Sequence, residues 1–146
     1  MDRISKIEIS LIQIERAILL ALDEFEYVSA ITLAGAAEEI LGKILEAEGK
    51  TSSHTAILTL LQLSHEQLNL QTLSKEEQKE ITNGTRNHLK HFMGTEYIEA
   101  NLKQQACNLI HRAISNYIML CKEPTKIIWR WIAEEKGFPS YPMKET

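Results

Sequence analysis

Six consecutive residues, Arg86-Asn87-His88-Leu89-Lys90-His91, put four basic or titratable groups side by side in a chain whose net charge is -4. Solubility does not require such a concentration in an acidic protein. A histidine titrates near neutrality and so can donate or accept a proton there. An arginine presents a planar fork of donors that suits the oxygens of a phosphate. Together these groups would bind a phosphodiester and move a proton at it.

Helical geometry restricts the arrangement. Arg86 and His91 are five apart, so about 140° separates them on a continuous helix, whereas Asn87 and His91 share a face. Arg86 joins them only if its long side chain wraps round, or if the helix begins near Thr85. Asn83-Gly84 is a turn signal, and a break there would let Thr85 cap a new helix. The alternative is a solvated helix face with scattered basic residues.

Other constellations are weaker. The run Ala34-Gly35-Ala36-Ala37 would let another helix approach closely, and Glu38 and Glu39 follow it. One of the two carboxylates is a candidate to face inward toward Arg86 or His91; a solvated position suits Glu39 better than Glu38. A carboxylate commonly orients a histidine in this way. His88 and His91 are three apart, with His54, His65 and His111 elsewhere, but there is no His-Glu-x-x-His, no Glu-x-x-His and no close cysteine pair, so no metal site is expected. No glycine-rich phosphate loop and no local Ser-His-Asp motif is present. Trp129 and Trp131 are candidates for base stacking, with Trp131 better suited to the core and Trp129 to the surface or an interface.

The elements that must position these groups follow from composition and period. A length of 146 residues suits one domain, with its core over about 3–122 and a short helix and extended tail over 123–146. Apolar residues make up 44% and charged residues 25%, as in an ordinary globular protein. The acidic balance argues against a generic polyanion binder, though not against a local basic site. Cys107 and Cys121 fall in one expected helix roughly 21 Å apart, too far for a disulfide. The charged N-terminus lacks a signal-peptide core and no stretch is apolar enough for a membrane span, so a cytoplasmic protein with no membrane partner is expected.

Spacings of three and four dominate. Ile4, Ile7, Leu11, Ile14, Ile18, Leu22 and Phe25 mark a helix over about 3–26. Val28, Ile31, Ala34, Leu41, Ile44 and Leu45 mark a second, with Gly49 as its cap. The junction near Glu26-Tyr27 is either a kink or a tight hairpin, and a hairpin is favoured because a helix of about 45 residues is unusual in a small domain. Residues 51–55 read as a polar loop and 56–68 as a third helix, with Ile57, Leu60, Leu61 and Leu68 on its apolar side. Ser74 to Glu77 fits a capping box for a helix reaching about Phe92 and ended by Gly94. A fifth helix over about 97–121 presents Leu102, Ala106, Leu109, Ala113, Tyr117 and Leu120. Pro124 opens a last helix in its first turn, carrying Ile127, Ile128, Trp131 and Ile132 and ended by Gly137. With no strand alternation, the fold class is all-α, an antiparallel bundle of about five to six helices.

An arginine, an adjacent polar residue and a histidine after four intervening positions resemble the signature of the HEPN superfamily, here Arg86, Asn87 and His91. The resemblance extends over roughly residues 3–122 through the helical pattern. It implies an HEPN-like bundle and a metal-independent endoribonuclease, with no cofactor, in which a ribose 2'-hydroxyl attacks the adjacent phosphorus. Arg86 and His91 would be catalytic, Asn87 would position the phosphate or the histidine, and Glu38, His88 and Lys90 would support them. The implied partners are RNA and a second copy of the chain, whose motif would supply the second histidine, with an antitoxin or another protein as a further partner of a toxin or defence component. The rival expectation is a non-catalytic helical dimer that binds a protein or a nucleotide.

Overall fold

The computed structural model describes residues 1–91, 94, 96–121 and 123–136. Six α-helices follow one another: α1 (Lys6–Leu19), α2 (Tyr27–Ala47), α3 (Ser53–Gln67), α4 (Lys75–Lys90), α5 (Leu102–Cys121) and α6 (Lys126–Lys136), with a π-helical turn at Leu20–Glu24. The described residues contain no strand, so the chain is an all-α bundle.

Local signals start and stop these helices. Ser5 and Glu8 form a reciprocal capping box at α1, and Ser74 and Glu77 form the expected one at α4. Between α1 and α2 the chain makes the hairpin: the π-turn widens the last turn of α1, Phe25 takes a left-handed conformation (φ 52°), and Glu26 caps α2 through its carboxylate. Phe25 is therefore 71% exposed rather than on the apolar stripe, and Val28 beside the turn is exposed too. Gly49 (φ 75°) ends α2, where a left-handed residue without a Cβ is favoured.

Several expected boundaries move. Ser52, not a residue further on, caps α3, so Ser53, His54 and Thr55 lie in its first turn instead of a loop. The helix α5 starts at Leu102, five residues later than expected, after Asn101 accepts a hydrogen bond from the Gln104 amide. Pro124 precedes α6, whose opening amides are met by Thr125, which accepts from Ile128 N–H. The helix α4 ends at Lys90, two residues short of the expected reach to Phe92, because His91 is already extended; Gly94 (φ 83°) lies beyond it. The expected stop at Gly137 and the extended tail lie outside the described residues.

The core joins α1, α2, α5 and α6. Ile14, Ile18, Ile31, Leu41, Leu45, Ile110, Ile128 and Trp131 are buried there, and Ala30, Ala34, Ala37, Ala106 and Ala113 keep the axes close. Trp131 is 1% exposed and Trp129 37%, as their positions in the pattern suggest. Neighbouring pairs along α2 and α5 (Gly35 with Leu109, Glu38 with Arg112, Gly42 with Asn116) advance together, so these two helices run in the same direction. Two intervening helices, α3 and α4, carry the chain back to allow this. Neither of them adds an apolar residue to the fully buried set. Among the described residues no helix is long and apolar enough to cross a membrane.

Candidate functional site

The helix α4 runs through Asn83-Gly84 without a break. The turn signal is overridden because both residues are buried and the Asn83 amide is spent on tertiary partners: its oxygen accepts from Arg112 (3.1 Å) and its nitrogen lies 3.3 Å from His54 Nε2. The expected restart at Thr85 does not occur. Arg86 instead wraps inward against α2, the other route open to it. Gly35 makes this passage available, since a Cβ there would lie 2.6 Å from Arg86 Cδ.

The side chain of Glu38, 4% exposed, receives Arg86 and Arg112 on its two oxygens, at 3.4 Å and 2.9 Å. Glu38 is thus the inward member of the carboxylate pair. It lies on the inner face of α2, between Ala34 and Leu41, and a buried carboxylate survives there because both oxygens meet guanidinium groups. Arg112 also donates to the Thr82 carbonyl at 3.0 Å. Asn116, one turn further along α5, donates to the Glu38 carbonyl and accepts from Ser53 N–H, which ties the start of α3 to the core. Both Arg86 Nε and Arg112 Nε are buried without a hydrogen-bond partner.

Above this cluster lies a cleft of about 380 Å³, lined by Arg86, Asn87, Asn83 and Lys79 of α4, by Glu38, Glu39, Lys43 and Glu46 of α2, and by Ser52 and His54 at the start of α3. Arg86 and Glu38 line it, while Arg112 holds the other Glu38 oxygen from behind the lining. On the rim Lys43 donates to Glu39 at 2.9 Å and holds its carboxyl below the usual range. At the mouth Glu46 accepts from the Thr55 and Ser52 hydroxyls, and these bonds likewise lower its pKa. Burial, then the charge of Arg112, lowers the pKa of His54 below the ordinary imidazole value. The arrangement offers an anion the guanidinium of Arg86 and a neutral imidazole, in a lining where Lys43, Lys79 and Arg86 stand beside Glu38, Glu39 and Glu46.

Of the residues singled out in the sequence, Arg86, Asn87 and Glu38 meet at this cleft. Lys90 reaches its rim, 4.0 Å from Glu39. His88 turns elsewhere, with Nε2 3.8 Å from Glu80, beside a smaller hollow containing Tyr97 and Ile98. His91 caps the C-terminus of α4 in an extended conformation, exposed, and is not among the residues that line the cleft. Among the described residues no three of His, Cys, Asp and Glu gather in a metal-holding group.

Sequence reasoning missed His54, Asn83, Arg112 and Asn116. A signal for two of them was present: Arg112 and Asn116 fall three and four residues from Leu109, Ala113 and one another, on the inward stripe of α5. Polar residues on such a stripe need buried partners. His54 had no comparable signal, because its role depends on where α3 begins. Comparison of the chain with protein-family models, with curated proteins and with solved structures gives no match.

Proposed function

We propose that the chain is a metal-independent endoribonuclease of HEPN type that works as a two-fold homodimer on RNA. The observation that carries this reading is that Arg86 lines the cleft while sharing the buried carboxylate of Glu38 with Arg112 behind it. Two guanidinium groups against one buried carboxylate leave a local positive excess that attracts a phosphate, and Arg86 is both the cleft-lining side of that pair and the arginine of the Arg86, Asn87, His91 motif.

In this mechanism the ribose 2'-hydroxyl attacks the adjacent phosphorus. One histidine removes the hydroxyl proton, and another returns a proton to the departing 5'-oxygen. Arg86 stabilises charge on the phosphoryl oxygens and Asn87 positions the phosphate. The two histidines are His91 and His91 of the partner subunit, brought together across a two-fold axis, the commonest symmetry of soluble oligomers. The products carry a cyclic phosphate and a free 5'-hydroxyl. A cytoplasmic role as a toxin or defence component, restrained by an antitoxin or other protein, belongs to the same proposal.

Purified protein incubated with RNA in EDTA provides the test. Cleavage is expected from the native chain and none from Arg86→Ala or His91→Ala. Cleavage that survives both replacements would sink the assignment, and a single monomeric mass by light scattering at micromolar concentration would remove the shared-site mechanism.

The rival, a non-catalytic helical dimer that binds a nucleotide or a protein, draws on a different observation. Arg86 is engaged by a buried carboxylate, and His91 lies off the cleft. Tight binding of RNA or a nucleotide without cleavage would favour it.

A further inference from the structure

The cleft contains a histidine outside the Arg86 motif, and its protonation state is fixed by its neighbours. Arginine can only donate hydrogen bonds. The contact from Arg112 Nη2 therefore assigns the oxygen of the Asn83 amide to that side (3.1 Å) and turns the NH2 group toward His54 Nε2 (3.3 Å). An NH2 group donates, so Nε2 of His54 accepts and carries a lone pair. The Thr82 hydroxyl, 3.1 Å from the same nitrogen, is able to donate to it or to the Gln78 carbonyl. The ring proton is left on Nδ1.

We infer that His54 is a second phosphate-recognition group of this cleft, a neutral imidazole that presents its Nδ1–H to a phosphate anchored on Arg86. The inference rests on the reading of the cleft as a phosphate site and adds to it a residue, a tautomer and the device that sets them. Asn83 is a positioning residue that acts on the ligand through His54, and Arg112 sets the orientation of Asn83. The charged groups around the ring oppose one another: Arg112 from α5 and Arg86 from α4 disfavour the imidazolium, whereas Glu38 and Glu46 from α2 favour it. Burial sides with the arginines, so the ring is neutral in the empty cleft. A phosphate bound beside it offsets the arginine charges and raises its affinity for a proton.

The test is a nitrogen-15 and proton NMR titration of the histidine rings in the full chain, with and without inorganic phosphate at matched ionic strength. In the empty protein His54 is expected to show the Nδ1–H tautomer and to titrate below an ordinary histidine. Phosphate should move its midpoint upward. His54→Ala should weaken phosphate binding about tenfold, the loss of one hydrogen bond to a charged ligand. Asn83→Ala should release the tautomer preference; if that buried change unfolds the chain, the native titration decides alone. An Nε2–H tautomer, a His54 midpoint indifferent to phosphate, or unchanged affinity in His54→Ala would each overturn the inference. A phosphate-dependent His54 in a protein that leaves RNA intact would retain the inference and remove the nuclease. RNA cleavage with a phosphate-indifferent His54 would do the reverse.

Discussion

The frame of α1, α2, α5 and α6 and the arm of α3 and α4 are held by different forces. In the frame the inward stripes are apolar and nearly sealed: Ile14, Ile31, Leu41, Ile110 and Ile128 are each 0% exposed. In the arm α3 has no buried residue, and Leu60, Leu63 and Leu68 are exposed. The arm is fastened mainly by polar bonds, with Leu89 of α4 packed against the edge of the core. Arg112 grips the Thr82 carbonyl and the Asn83 amide, Asn116 receives Ser53 N–H, Ser53 Oγ donates to the Arg112 carbonyl, and Arg86 reaches Glu38. Apolar packing is indifferent to orientation, whereas hydrogen bonds fix distance and direction. The cleft lies at this polar seam, so the bonds that attach the arm also build the site.

Five substitutions break or sharpen this contrast. The largest effect is expected at the seam. Glu38→Ala leaves two buried guanidinium groups without their carboxylate and should cost about 3–5 kcal/mol in denaturant unfolding. Loss of less than 1 kcal/mol would mean that the seam contributes little. In the frame, Ile110→Ala should cost about 2–5 kcal/mol, because it opens a cavity in sealed packing, while Leu60→Ala in the arm should stay within about 0.5 kcal/mol. Equal effects at the two positions would erase the distinction.

Gly35→Ala probes the point where frame and arm touch. Its new methyl group would meet Arg86 Cδ at 2.6 Å, and the guanidinium must shift. A cost of about 1–3 kcal/mol is expected. The affinity for inorganic phosphate should fall with it, whereas a variant that keeps full affinity would show that the position of Arg86 over α2 is not needed.

The smallest effect is in pH dependence. Because the fold favours neutral His54, the unfolded chain binds the proton first as pH falls. The corresponding stability is complete above the unfolded imidazole value, about 6.5, and is lost as pH drops from there through the lowered folded value. His54→Gln should flatten that part of the stability profile. Glu39 and Glu46, whose pKa values are lowered, give a separate loss at more acidic pH, as it falls through the carboxylate range, and this one should persist in the variant.

Much of the frame was legible in one dimension. The stripes of α1, α2, α5 and α6 repeat at three and four because each helix buries one face, and Ile31, Leu41, Leu109 and Trp131 land where that period puts them. The arm misled the same logic. Leu60 and Leu68 have helical spacing, but α3 leaves them exposed, since periodicity marks an amphipathic face without saying whether anything covers it. Asn83-Gly84 misled it as well: its turn preference is worth little against the bonds from Arg112 and the contact with His54.

The sequence by itself determined the helices, the cap at Ser74, the all-α class, and a candidate anion site containing Arg86 and Asn87. These follow from neighbours three and four apart, a range within which side chains meet along one helix. Only the tertiary structure decided that Glu38 faces inward, that Arg112 competes with Arg86 for it, and that His54 enters the cleft while His91 stays outside. Those residues are separated by tens of positions, and a long-range polar bond leaves no periodic trace: it needs one donor and one acceptor at a distance set by the packing of four helices.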